Sequence, residues 1–304
     1  MSAELIELSN ALAQATDRVA ASAVAIHTES RGSSSGVVWH KGVIVTAEHA
    51  LRRDEEIQVT LPDGRVVGAT LAGRDDSTDL AVLKCVEATS AVAEISDAAA
   101  AKPGSLALVV GRTRASGPVA ALGVVSLVAS ERRAWIGASI SPYIRLDVGL
   151  QPTAVGGAVV DAYARIIGIA TPRFARFGAI VVPATTVNRV VDILLEKGRI
   201  PRGYLGVGLQ PVRLPESLRQ ALGRSEKTAV IVVDVAPDGP ANKAGVVIGD
   251  ILISLGDQEI STPTDVHAQL AAQAIGGRLA AKLVRGGAMQ QTTIVVGEYP
   301  NGDN

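Results

Sequence analysis

Apolar residues recur along this chain in two rhythms, and the change of rhythm divides it. Over residues 3–20, Leu5, Leu8, Leu12, Ala15 and Val19 fall at helical spacing, which predicts an amphipathic opening helix. The period then shortens. Runs rich in Val, Ile and Ala at 22–28, 35–39, 42–46, 56–61, 65–73 and 79–85 predict six short strands, with Pro62-Asp63-Gly64 as the turn between two of them. A polar, Ala-rich stretch at 96–103 interrupts the pattern. Seven further strand-like runs follow at 105–110, 119–128, 134–139, 143–146, 157–160, 166–170 and 179–182. About six short strands with no long helix among them is the count of a closed barrel, so the pattern predicts two small β-barrels packed together, at about 20–98 and 103–183.

Residues 184–197 return to helical spacing, with Val187, Val190, Val191, Leu194 and Leu195 on one face, Gly198 at the C-terminal cap position and Pro201 beyond it. A domain boundary is placed there, at about 198–203. The remainder predicts a compact α+β module: strands at 204–210, 229–235, 250–255, 278–284 and 291–297, and helices at 215–222, 240–244 and 263–273. The fold class expected is mainly β, a double six-stranded barrel over 1–199 followed by an α+β domain over 203–304.

Composition narrows the function classes. A length of 304 residues suits two domains and allows roughly three-quarters of the unfolded surface to be buried. Hydrophobic residues at 47% and charged residues at 19% exclude long disordered tails. Lys+Arg 29 against Asp+Glu 30 leaves a net charge of -1, which argues against a nucleic-acid partner bound by phosphate neutralisation. The single Cys85 rules out an internal disulfide, a cysteine-rich zinc site and a redox CxxC pair, and it reads as a small buried hydrophobe at a strand end. His27, His40 and His267 lack ligand spacing, so neither a metal nor any other cofactor is expected. Gly32–Gly36 lacks the Gly-Lys-Ser/Thr ending of a phosphate loop. The longest uncharged stretch, 115–130, is broken by Gly117, Pro118 and Gly123 and reads as strand, so no membrane span is expected. Glu4 and Glu7 stand where a secretory signal wants positive charge, which predicts a cytoplasmic chain as it stands, or a periplasmic or tethered one if an anchor has been removed. Arg112, Arg114, Arg132, Arg133, Arg173 and Arg176 fall in expected loops of the second barrel and read as solvated, or as a basic rim to a cleft.

Two segments carry candidate chemistry. His49 in Thr46-Ala47-Glu48-His49-Ala50 ends one strand, and Asp79 in Asp76-Ser77-Thr78-Asp79-Leu80-Ala81-Val82-Leu83 starts another. A carboxylate that holds an imidazole tautomer is the orienting half of a nucleophilic triad. By themselves these residues read first as a loop histidine beside an unrelated aspartate. From about residue 15 to the end, however, the chain resembles the HtrA family, chymotrypsin-like proteases with a C-terminal PDZ domain. The resemblance is carried by Gly32-Ser33-Ser34-Ser35-Gly36-Val37-Val38, by both segments above through Lys84, and by Arg165-Ile166-Ile167-Gly168-Ile169-Ala170. It implies that His49 is the general base and Asp79 its orienting carboxylate.

The resemblance also implies a Gly-Asn-Ser-Gly-Gly-Pro motif shortly before RIIGIA, where this chain reads Thr153-Ala154-Val155-Gly156-Gly157-Ala158. Val155 takes the nucleophile's place, and an aliphatic side chain cannot form an acyl-enzyme. Thr153, Ala154 and Gly156 take the place of the oxyanion-hole loop, where β-branched Thr153 is poorly suited to unusual φ values. The expectation is a proteolytically inactive homologue; the alternative is an endopeptidase using another hydroxyl, Thr153, Ser139 or Ser141. A retained Asp–His pair then either helps to close the cleft between barrels or supports residual chemistry.

In the last domain, Tyr204-Leu205-Gly206-Val207 looks like the PDZ loop whose amides receive a peptide's terminal carboxylate, with the helix at 263–273 as the far wall of the groove. Gly239–Val246 and Ile248-Gly249-Asp250 also match the family. The partners implied are peptides or proteins with apolar C-termini, and an active protease paralogue. The family's trimers imply a homo-oligomer, although no aromatic residue precedes Trp39 to build one in the usual way.

Overall fold

A computed structural model of the chain describes residues 3–28, 32–51, 56–88, 92, 94–96, 98, 101–129, 132–133, 139–270 and 275–300. Residues 134–138 of one expected strand, residues 97, 99 and 100 of the Ala-rich stretch, and residues 271–273 of the last expected helix lie outside these. The chain divides into two compact units, one running to Ile200 and one from Pro201 onward.

The first unit opens with helix α1 (Ala3–Ala20). Only its C-terminal end is buried, at Val19 and Ala20. Leu5 and Leu8, on the expected apolar face, are 57% and 43% exposed. Six strands then close on themselves: β1 (Ala23–Thr28), β2 (Gly32–His40), β3 (Val43–Ala47), β4 (Ile57–Thr60), β5 (Val66–Asp75) and β6 (Leu80–Lys84), in the order β1-β2-β3-β6-β5-β4. The Pro62-Asp63-Gly64 turn joins β4 to β5, with Gly64 at φ 87. Cys85, just past β6, is buried, and burial raises its thiol pKa.

Next come β7 (Leu106–Thr113), β8 (Gly117–Ala129), β9 (Arg132–Arg133), β10 (Ser139–Ile140), β11 (Tyr143–Asp147), β12 (Ala158–Val160), β13 (Ile166–Thr171) and β14 (Ala179–Pro183). Six of them form a second closed barrel, β11-β14-β13-β12-β7-β8, while β9 and β10 pair separately as a two-stranded ribbon. Closure matters because it leaves neither sheet with a free edge.

These strands read as continuous apolar runs rather than alternating ones because several are buried on both faces. Along β3 and β6, Ile44, Ala81 and Leu83 point into the first barrel, while Val45, Leu80 and Val82 point out of it. The outward set packs against Val110, Ala158, Ile169 and Val182 of the second barrel, and against Val187, Val190, Val191 and Leu194 of helix α2 (Ala184–Lys197). Helix α2 ends at Gly198, whose φ of 71 and N–H bond to the Leu194 carbonyl make the left-handed cap. Trp39, fully buried in this shared layer, donates its indole N–H to the Asn188 amide oxygen at 2.7 Å.

Arg112, expected in a solvated loop, lies instead on β7 and is buried. Its Nε donates to the Ala23 carbonyl at 2.7 Å and its Nη2 to the Ala20 carbonyl at 3.0 Å, ending the carbonyl ladder where α1 gives way to β1. Burial lowers its pKa.

The second unit holds β15 (Gly203–Tyr204), β16 (Val207–Arg213), helix α3 (Glu216–Ala221), β17 (Thr228–Val235), helix α4 (Pro240–Lys243), β18 (Ile251–Leu255), β19 (Gln258–Glu259), helix α5 (Pro263–Gln269), β20 (Arg278–Arg285), β21 (Ala288–Val295) and β22 (Gly297–Glu298). Its main sheet runs β16-β17-β18-β20-β21. The single strand expected at 204–210 is broken at Leu205-Gly206, where Gly206 takes φ 76.

The fully buried Asp250 carboxylate accepts from Arg285 Nε at 2.7 Å, Arg285 Nη2 at 2.8 Å and the Val247 amide at 2.9 Å. Burial pushes its pKa up, but these three donors outweigh burial and hold it below the ordinary 3.8. A carboxylate depressed in this way contributes fully above its unfolded pKa, and the contribution fades as pH falls through the folded value. Melting of the chain between pH 7 and pH 3 is therefore expected to show an acid limb that Asp250→Asn flattens, at a cost of about 1–2 kcal/mol at neutral pH.

Candidate active site and peptide groove

Strand β3 ends in a short helical turn, Glu48–Ala50, that carries His49; β6 begins immediately after Asp79. Antiparallel pairing sets Ala47 opposite Leu80, so the two side chains meet at one end of the first barrel. Asp79 is fully buried and left-handed, with φ 58. Its Oδ1 accepts the His49 backbone N–H at 2.9 Å, and its carboxylate lies 2.7 Å (Oδ2) and 2.9 Å (Oδ1) from His49 Nδ1. A carboxylate only accepts, so Nδ1 carries a proton, and in the neutral ring Nε2 is then the acceptor, the tautomer a general base requires. The Glu48 amide also donates to the Asp79 backbone carbonyl at 3.0 Å.

Two residues of the second barrel complete the surroundings, and nothing in the sequence marks the first. Thr171, the last residue of β13, donates its hydroxyl to Asp79 Oδ2. Arg173, read from the sequence as solvated or as part of a basic rim to a cleft, is an ion-pair hub beside the His49–Asp79 pair. It reaches Glu48 at 2.7 Å and Asp79 at 3.5 Å through Nη1, and pairs with Asp76 through Nη2. Burial works against its charge, but Asp76, Asp79 and Glu48 outweigh that and raise its pKa. Arg74 adds a contact to the far oxygen of Glu48 at 3.3 Å.

The loop holding Val155 is brought to the same place by glycine. Gly156 has φ 78, and a Cβ there would meet the Ser35 carbonyl oxygen, stand 2.6 Å from Thr46 Oγ1 and stand 2.9 Å from the Ala47 nitrogen, two residues before His49. No larger residue fits. The Val155 carbonyl accepts the Ser35 amide at 2.8 Å, tying the loop to β2. Val155 itself is 7% exposed, with an aliphatic side chain and no group to attack a carbonyl.

Residues Pro152–Ala154 form one tight helical turn. Within it the Ala154 amide donates to the Gln151 carbonyl at 2.9 Å and the Val155 amide to the Pro152 carbonyl at 3.2 Å. The Val155 amide is thus committed to the turn rather than aimed outward at a developing oxyanion. The buried Ser35 hydroxyl, which accepts the Arg112 amide at 2.8 Å, donates to the Thr153 carbonyl at 2.6 Å and fixes that peptide's direction. The only sequence signal for Ser35 was its place inside the Gly32–Gly36 run.

In the second unit Tyr204, Leu205, Gly206 and Val207 connect β15 to β16. Carbonyls on the inner side are used: Leu205 accepts from Ala241 at 2.8 Å and Gly206 from Ala236 at 2.9 Å. Leu205 is buried, and the Tyr204 ring packs edge-on against Tyr299 at 5.3 Å. Among the described residues strand β16 pairs with β17 on one side only, which leaves its other edge open, and helix α5 packs beside it. A turn of amides leading into an open strand edge is the arrangement that adds a peptide as a further strand.

Residues 34–169 match the family model of the trypsin-like peptidase domain, and residues 203–296 match that of the PDZ domain. The chain is 30% identical over 276 residues to a probable periplasmic serine endoprotease, DegP-like, of Brucella suis, covering 88% of this chain and 53% of the relative. It is 26% identical over 276 residues to the serine endoprotease DegS of Haemophilus influenzae, covering 88% of this chain and 77% of that one. Among solved structures, the HtrA-type protease AlgW with a decapeptide superposes with a TM-score of 0.76 at 26% identity, covering 96% of this chain and 99% of that one. The same protease with a tripeptide gives 0.72 at 28% identity, over 96% and 98%. The chain is thus similar along nearly its whole length to HtrA-type serine proteases. It consists of a trypsin-like domain with two six-stranded barrels followed by a PDZ domain, and it spans about half the length of its Brucella relative. No helix among the described residues is long and apolar enough to cross a membrane.

Proposed function

We propose that this HtrA-type homologue does not cleave polypeptides but grips them, with a peptidase-like part at 1–199 and a peptide-binding PDZ part at 203–304. The observation that carries the reading is Val155. It occupies the loop turned toward the end of β3 and offers no nucleophile. The Val155 amide bonded inside its own turn gives further support, since an oxyanion would find that donor occupied. Binding is supported by the Tyr204–Val207 loop and the open edge of β16, and by the peptide-bound AlgW structures. The ligands that suit this site are peptides or unfolded chains ending in an apolar residue with a free carboxylate. Holding unfolded chains, scaffolding, or regulating an active relative would all follow from gripping without cutting.

Two measurements test the proposal. Labelled apolar-ended peptides are expected to bind, and the same peptides amidated at the C-terminus to bind at least about tenfold more weakly, because a charge-assisted set of hydrogen bonds is lost. Casein is expected to remain intact. Cleavage abolished by His49→Ala would instead establish an endopeptidase using another hydroxyl, Thr153 foremost.

A further inference from the structure

The open edge of β16 has a definite pattern of donors and acceptors. The Gly206 carbonyl accepts the Ala236 amide, so position 206 faces β17. Backbone groups alternate along a strand, which turns 208 and 210 toward β17 and 207, 209 and 211 toward the open edge. The one irregularity in the pairing does not disturb this phase. Gly208 opposes Asp234 while Leu209 opposes Val232, so the extra residue is Val233, on β17. Position 211 gives the same phase independently: it is Pro211, and a proline in an edge strand puts its missing donor on the side away from the sheet. Pro211 is also exposed.

From these observations we infer that Pro211 sets the reading length of the groove, ending the added strand after the third or fourth residue from the peptide's C-terminus. The inference rests on the peptide-binding reading above. A peptide running antiparallel to β16, with its carboxylate at the amides of 205–207, sets its third-from-last residue against Leu209. There it can exchange two backbone bonds. Its fifth-from-last residue meets Pro211, which has a carbonyl to accept with but no N–H to donate, and whose ring occupies the donor's place. Selectivity is thereby confined to the last few residues, and any apolar-ended chain with an accessible terminus qualifies whatever its upstream sequence.

The test is a length series of three-, four-, six- and ten-residue peptides sharing one apolar C-terminus, titrated into the full chain and into Pro211→Ala. With the natural chain, affinity is expected to level off at four residues. With Pro211→Ala, six- and ten-residue peptides should gain about three- to tenfold while the tripeptide is unchanged, as one restored backbone bond predicts. A gain of tenfold or more between four and ten residues in the natural chain would overturn the inference, and needs no variant to fold. So would a Pro211→Ala chain, shown folded by its melting curve, that keeps the flat profile. If no peptide binds in a carboxylate-dependent way, the groove reading itself falls, and this inference with it.

Discussion

Placing a hydroxyl at residue 155 by Val155→Ser alone is expected to leave the chain unreactive, with neither casein cleavage nor covalent labelling by a fluorophosphonate. The orienting pair is in place, with Asp79 Oδ2 2.7 Å from His49 Nδ1, so a serine would not lack a base. It would lack stabilisation of the charge that develops once it attacks. The amide of residue 155 donates to the Pro152 carbonyl, and the Thr153 peptide is held by Ser35, itself anchored by the Arg112 amide. Losing one oxyanion donor typically costs about 10²–10³ in turnover, and here the turn must rearrange before the amide of residue 155 is free to be that donor. Thr153 resists that rearrangement through its branched Cβ. Adding Thr153→Gly to Val155→Ser is therefore expected to give measurable labelling where Val155→Ser gives none. Stoichiometric labelling of the single variant would show that the loop can already form the hole.

The second large effect is on stability. Asp79→Ala is expected to destabilise the first unit by about 3–5 kcal/mol, read from chemical denaturation. The buried carboxylate serves the His49 amide, the His49 ring, the Thr171 hydroxyl and Arg173 at once. Removing it strands several donors, and alanine tolerates the left-handed φ at this position less well than aspartate. His49→Ala removes only one of those donors and leaves Asp79 satisfied by the others. It is expected to cost no more than about 1–2 kcal/mol. The asymmetry separates a pair kept for packing from one kept for chemistry, since a catalytic pair would show both losses in activity regardless of their effect on folding.

Much of this architecture could be read from the chain because its strands are buried on both faces and appear as unbroken apolar runs; helix α2 and its Gly198 cap were equally plain. What escaped was tertiary. Thr171 and Arg173 bond Asp79 across 92 and 94 residues of sequence, and nothing local to either announces a partner. Arg112 sits near a predicted turn and looks solvated, yet the carbonyls of Ala20 and Ala23 give its guanidinium a buried destination. The face of α1 carrying Leu5 and Leu8 has the right spacing for a core, yet both side chains are exposed and only the end of the helix at Val19 and Ala20 is buried. At the candidate site, the aliphatic residue at 155 was visible at once. The turn that absorbs its amide was not, because that depends on Ser35 from another barrel.

The apolar layer shared by β3, β6, β13 and α2 has a consequence for how such a chain ages. The stretch ending in His49 and the one beginning with Asp79 are also welds between two halves of a folding unit. A lineage released from every demand for peptide-bond hydrolysis would still be held to them, since drift at Val45, Leu80 or Val82 opens a void in three elements together. The segments that carry His49 and Asp79 are therefore fixed by folding as well as by any chemistry, because the same short strands serve both.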